Sequence, residues 1–220
     1  MTFHFEVIFK NLDFLLNGLK ITFLISIFSL FIGFFLGLVI AFMRISKSKL
    51  LSKIAIAYVE FFRNTPFLVQ LFFFYFGLPE LGIITEPITT AIIALGVNSA
   101  ANNSEVIRAG IISINKGLVE AAESLGLTKF QVVRLVIIPN ALRVTFRPLG
   151  SNFINLILTT SVAVSITANE LMSNAMTLSS NSFRPFEIYL SILVLYCILT
   201  FSLSGIIHFV DKKFISKGVS

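Results

Sequence analysis

Residues 117–140 read GLVEAAESLGLTKFQVVRLVIIPN, a polar run lodged between apolar stretches long enough to cross a membrane. Glu120 stands in an early helical turn, where a carboxylate complements the positive end of the helix dipole, and Ala121 and Ala122 keep the flanking surface low. Gly126 can take the left-handed conformation that ends a helix. Thr128 followed by Gln131 is a capping box that starts another, whose apolar stripe is Phe130, Val133 and Ile137, and Pro139 is expected to stop it. The spacing therefore predicts a rigid elbow. Two readings of it stand: an amphipathic segment resting on the membrane surface, or a docking element for another protein.

Composition places the rest of the chain in lipid. Of 220 residues, 56% are hydrophobic and only 13% charged, and the mean hydropathy is +0.93. Such a chain cannot show water an ordinary charged surface. Ile21 to Met43, Pro148 to Asn169 and Ile188 to Val210 are free of charge for 23, 22 and 23 residues, each above the roughly 20 that a bilayer requires. Pro87 to Ser104 gives 18 more. Asn64 to Pro79 gives 16, so a span there must begin near Ile54 and carry Glu60 and Arg63. The expectation is one all-α membrane domain with five transmembrane helices near residues 18–43, 54–78, 87–108, 146–168 and 187–210, and a cytoplasmic loop at 113–142.

Charge asymmetry orients it. Arg44, Lys47, Lys49, Lys53, Arg108, Lys116, Lys129, Arg134, Arg143, Arg147, Lys212, Lys213 and Lys217 all fall on one side of this arrangement. Lys10, Lys20 and Arg184 share the other side with Glu6, Asp13, Glu80, Glu86, Glu170 and Glu187. Basic residues mark the cytoplasmic face, so the N-terminus is expected outside, with the C-terminus and the Glu120 elbow inside. The net charge of +6 is then topological, and no basic and aromatic surface for nucleic acid alternates along the chain. The N-terminus lacks a basic n-region, so the first apolar run is read as a retained span.

Several chemistries are missing. No Gly-rich loop ending in Gly-Lys-Ser/Thr exists to cradle nucleotide phosphates. His4 and His208 lie at opposite ends without ligands at metal spacing, and Cys197 has no partner cysteine. No nucleophile, base and acid arrangement can be assembled, and no cofactor is implied. What remains is polar chemistry within the spans. Asn98, Asn102 and Glu105 follow one helical face, with Ser99 and Asn103 beside it; Asn152, Asn155 and Thr159 follow another, near Ser151, Thr160 and Ser161. Such groups turn toward partner helices or a water-filled path, because facing lipid costs a few kcal/mol each. Interhelical bonding is the plainer role for Glu105, through Arg108; for Asn98, Asn102, Asn152 and Thr159 a substrate path is the alternative. Gly33, Gly37 and Ala41 form a small-residue seam for helix packing. Pro66 should bend the second span.

Three blocks together resemble the permease subunits of ATP-binding-cassette importers. Glu120-Ala121-Ala122 with Gly126 and Ile137-Ile138-Pro139 is similar to their EAA motif. Residues 60–79, EFFRNTPFLVQLFFFYFGLP, and 141–161, ALRVTFRPLGSNFINLILTTS, resemble the polar amino acid uptake branch. The resemblance implies a type I importer fold in a bacterial cytoplasmic (inner) membrane. It also implies a second permease subunit, the same chain or a paralogue, two ATP-binding subunits gripping the elbows at Glu120, Ala121, Ala122, Gly126 and Pro139, and an extracytoplasmic substrate-binding protein. The cargo implied is an amino acid. Where relatives carry an acid in the first part of the 141–161 block, and Lys and Asp or Asn in the second, this chain has Asn152, Leu158 and Thr159, which favours a neutral or acidic cargo over a cationic one. A secondary transporter or channel is the rival reading, but it would need coupling-ion carboxylates near mid-membrane; a scaffold that only recruits an ATPase would not need the polar faces.

Overall fold

The computed structural model describes residues 5–215, and no strand occurs among them; His4 and Lys217 lie outside the described residues. A short helix, α1 (Glu6–Lys10), leads into α2 (Leu12–Ile45), whose 34 residues extend about 50 Å at 1.5 Å per residue. α3 (Lys49–Asn64) starts at Ser48, whose hydroxyl accepts from the Leu51 N–H. After a break at Thr65–Pro66 come α4 (Phe67–Phe72), a π turn at Phe73–Gly77 and a 3-10 turn at Leu78–Leu81. α5 (Pro87–Ile112) returns across the bundle to α6 (Lys116–Ser124) and α7 (Lys129–Val132). A π turn at Val133–Ile137 joins α7 to α8 (Ile138–Thr159), which tightens into a 3-10 segment at Thr160–Ile166. α9 (Leu171–Ser182) and α10 (Pro185–Val210) complete the bundle, with a last π turn at Asp211–Ile215.

Three of these runs are both long and apolar enough to cross a bilayer: Leu12–Ile45, Lys129–Ile166 and Pro185–Lys213. Their outward faces carry Phe23, Phe28, Phe31 and Phe35 on α2 and Phe201 and Phe209 on α10, all exposed. So many bare aromatics make sense only against lipid. α5 has the length, about 39 Å for 26 residues, but Thr90, Asn98, Ser99, Asn102 and Asn103 dilute its apolar character. The expected second span arrives in two pieces, α3 and the apolar run Phe67–Leu81.

α2 and α5 form the spine. A Cβ added at Gly33 would stand 2.9 Å from Ser99, one at Gly37 3.0 Å from the Ala100 carbonyl, and one at Gly96 2.6 Å from Ile32. Ala41 is fully buried in the same seam. The predicted small-residue stripe is therefore used within the chain, where it lets the two backbones approach. One core cluster joins α2, α4, α5 and the 3-10 segment through Ile25, Leu71, Ala91, Ala94, Leu95, Ala163 and Ile166. A second joins Leu15 of α2 to Leu171, Ala175 and Leu178 of α9 and Ile188 and Ile192 of α10.

Three expectations need correction. Pro139 does not stop its helix: residues 129–166 are one helical run of 38 residues, and Pro139 sits in the first turn of α8. Its missing N–H costs little there, because the π turn before it has already shifted the hydrogen-bond register. Pro66 does more than bend a helix. Thr65 and Pro66 are both extended, with ψ of 140° and 135°, so the helix is cut and restarted. Finally, the link between the fourth and fifth spans, where no element is expected, contains α9. Thr167 is held in the left-handed region (φ 60°), and fully buried Glu170 caps α9. Its carboxylate accepts from the Ser173 N–H at 2.9 Å, Thr22 Oγ1 at 3.2 Å and the Tyr196 hydroxyl at 3.2 Å, so a charge assigned to the outer surface ties α2, α9 and α10 together.

Candidate functional site

Two regions hold the residues singled out in the sequence. The first is a polar pocket between α5 and α8. Asn98, Asn102, Asn152 and Thr159, expected on two separate helical faces, line it together with Leu95, Ser99, Asn155 and Leu156, around about 180 Å³. None of these side chains is ionisable. The amides are bonded in sequence. Asn152 Nδ2 donates to Asn103 Oδ1 at 3.0 Å, and Asn103 Nδ2 donates to Ser99 Oγ at 3.3 Å. Asn98 Nδ2 donates to Gln70 Oε1 at 2.9 Å. Thr159 turns its hydroxyl back to the Asn155 carbonyl, as a helical threonine commonly does. Asn102 lines the pocket with no side-chain partner among the described residues.

Gln70 escaped the sequence reading. It is 4% exposed on α4, amid the apolar run FLVQLFFF, and its Nε2 reaches the Phe62 carbonyl at 2.9 Å. That carbonyl would bond the N–H of residue 66 in an unbroken helix, and proline has none. A polar residue four positions beyond a proline in an apolar run was the available signal.

Glu105 lies on α5 beyond the pocket. It accepts from Arg108 at 3.1 Å and pairs with Arg44 of α2, so the structural role expected of it holds, with a second cation added. On the same side of the bundle, Arg147 of α8 donates to buried Asp211 after α10 at 2.7 Å. No group of three or more metal-ligating side chains gathers among the described residues.

The second region is the elbow. The Asn115 side chain opens α6 by accepting from the Gly117 N–H at 2.8 Å. Gly126 has φ 81°, the Leu127 N–H returns to the Ala122 carbonyl at 3.3 Å and the Gly126 N–H to that of Glu123 at 3.0 Å. These are the two bonds of a Schellman motif. Thr128 and Gln131 then form the reciprocal capping box. Glu120 and Ala121 are exposed, whereas Ala122 turns inward, so Ala121 alone keeps that outer surface low. Leu125 and Phe130 are 81% and 72% exposed, and Val132 is the buried member of its turn. Pro139 is exposed at the foot of α8, not in the elbow tip.

Known proteins resemble this chain in sequence and in overall fold. The family described as binding-protein-dependent transport system inner membrane component matches residues 33–216. The chain is 36% identical over 208 residues to the probable glutamine ABC transporter permease protein GlnM of Bacillus subtilis, covering 94% of this chain and 96% of that one. It is 34% identical over 215 residues to the glutamine transport system permease protein GlnP of Escherichia coli, covering 97% and 98%. Among solved structures, one of an amino acid ABC transporter with histidines superposes with a TM-score of 0.90 at 34% identity, covering 97% of this chain and all of the other. The methionine ABC transporter MetNI in an inward-facing conformation shares the fold, with a TM-score of 0.80 at 22% identity, covering 92% and 97%. Permeases of this kind work with a separate ATP-hydrolysing subunit and a substrate-binding protein. The chain belongs to the binding-protein-dependent transport system inner membrane components: it is a permease, the non-catalytic, membrane-spanning subunit of an ABC importer.

Proposed function

We propose that this permease conducts a neutral polar amino acid through the Asn98, Asn102, Asn152 and Thr159 pocket, driven by ATPase subunits that grip the Glu120 elbow. The observation that carries the reading is the pocket itself, which gathers amides and a hydroxyl from two helices and holds no charged side chain. An uncharged lining neither neutralises a cationic side chain nor repels a zwitterion, and amides can both donate to and accept from one. Relatives named for glutamine support this cargo class.

The complete importer in this proposal has two permease subunits, identical or paralogous, two ATP-binding subunits on the cytoplasmic side and a substrate-binding protein outside. The basic-residue asymmetry supports an outer N-terminus and a cytoplasmic elbow and C-terminus. Exposed Leu125 and Phe130, beside exposed Glu120 and Glu123, give the elbow the apolar and charged surface that docking into a partner cleft needs. ATP-driven approach of the ATPases then moves the elbows together and opens the pocket outward.

Proteoliposomes containing the permease with its ATPase and binding protein test this. ATP-dependent uptake of labelled glutamine is expected, and Asn102→Leu should impair it without preventing assembly. Full uptake by Asn102→Leu, Asn152→Leu and Thr159→Val alike would reject the pocket as the path.

A further inference from the structure

Gln70 has one permitted orientation, and it is imposed by the break at Pro66. Its Nε2 faces three acceptors: the Phe62 carbonyl at 2.9 Å, the Thr65 carbonyl at 3.0 Å and Thr65 Oγ1 at 2.8 Å. The Thr65 hydroxyl donates its own proton to the Phe61 carbonyl at 2.8 Å, so toward Gln70 it can only accept. A reversed Gln70 would set its oxygen against all three. Its Oε1 therefore points away from the break, toward Asn98 at 2.9 Å.

That fixes Asn98 in turn. An acceptor at Gln70 demands the Asn98 amide nitrogen, whose second hydrogen is directed to the Phe62 carbonyl at 3.4 Å. Both N–H groups are committed, and Asn98 Oδ1 is the atom left for the pocket. The chain from Asn152 of α8 to Asn103 and Ser99 of α5 is not locked in this way. Asn152 and Asn103 end on the Ser99 hydroxyl, which can donate or accept, so that chain can run in either direction.

We propose that Gln70 is a positioning residue for cargo selection: held by the Pro66 break, it presents the Asn98 carbonyl oxygen to the pocket, which favours a side-chain carboxamide that donates N–H over a carboxylate that cannot. This rests on the pocket being the cargo path. A carboxylate there would face an oxygen that cannot turn away; glutamine's amide would be bonded.

The test is the ratio of initial uptake rates for labelled L-glutamine and L-glutamate by the assembled transporter in proteoliposomes, at equal amounts of complex. Gln70→Met frees Asn98 to rotate and offer its N–H groups, and the ratio should fall about tenfold, the worth of one oriented hydrogen bond. Pro66→Ala, which restores an N–H for Phe62, should lower it about two- to threefold, since Thr65 still holds Gln70. If Gln70→Met does not assemble, Pro66→Ala carries the test, because it weakens the hold on Gln70 without altering that side chain. Equal loss of both uptakes with the ratio intact would leave Gln70 a merely structural role and overturn the proposal. So would a wild-type complex that moves glutamate as fast as glutamine. A different result, wild-type rates and ratio in Asn98→Leu, would sink the assignment of the pocket itself.

Discussion

Gly126 allows the elbow to be tested with its cost worked from geometry. At φ 81° it terminates α6, and a Cβ added there would meet nothing within 4 Å. Any penalty is therefore backbone conformation alone, free of steric clash. Alanine in the left-handed region costs about 1 kcal/mol, a β-branched valine about 2 kcal/mol, and asparagine only a few tenths, because its short polar side chain tolerates this region. At RT of about 0.59 kcal/mol these are about 5-fold for alanine and 30-fold for valine in the opening equilibrium of the turn. The reporters are the amides of Leu125, Gly126 and Leu127, bonded to the carbonyls of Ala121, Glu123 and Ala122. Hydrogen exchange of the purified protein should lose protection at these amides in the order Gly126→Asn, Gly126→Ala, Gly126→Val, by about those factors. ATP-driven uptake should decline in the same order. Equal protection at Leu127 in the asparagine and valine variants would refute the claim that the left-handed turn holds the elbow.

Other outcomes follow from other sites. Gly110→Ala puts a Cβ 2.1 Å from Thr145 Cγ2 and should destabilise the α5 and α8 contact by about 1–3 kcal/mol; adding Thr145→Ser removes that methyl and should restore most of the melting temperature. Glu170→Ala strands the Ser173 N–H and the Thr22 and Tyr196 hydroxyls, and a loss of about 2–3 kcal/mol in detergent melting is expected, against under about 1.5 kcal/mol for Tyr196→Phe. Reversing the charge at exposed Glu120 with Glu120→Arg should weaken co-purification of the ATPase and uptake together, while the protein's own stability stays within about 0.5 kcal/mol of wild type.

The elbow could be read from the sequence because its signals are local: Gly126, Thr128 and Gln131 act within a few residues of themselves, and each takes its predicted part. Pro139 was misread for the complementary reason. Proline usually ends a helix through its missing N–H, but a π turn five residues long ahead of it makes that N–H unnecessary, and nothing in VRLVI announces such a turn. The pocket was half legible. Helical periodicity put Asn98 with Asn102, and Asn152 with Thr159, on single faces, but only packing joined the two faces. α9 and its cap were hidden, since the Ser- and Asn-rich stretch LMSNAMTLSSNS has weak helix propensity and is held by its contacts with α2 and α10. Glu170 counted as one more outer charge because burial is a property of the fold.

The unbroken passage from α7 through Pro139 to the end of the 3-10 segment makes that run a lever. From Lys129 to Thr159 is about 45 Å of helix at 1.5 Å per residue, and the run stays helical across Pro148 inside α8. A tilt of about 5° at the Lys129 end would carry Thr159 about 4 Å, enough to separate it from Asn98 by more than a water molecule. With the predicted stop at Pro139, that tilt would be lost in a joint. The proline that looked like an ending lies instead within the arm, so a small rotation at its Lys129 end would be magnified where the pocket lies.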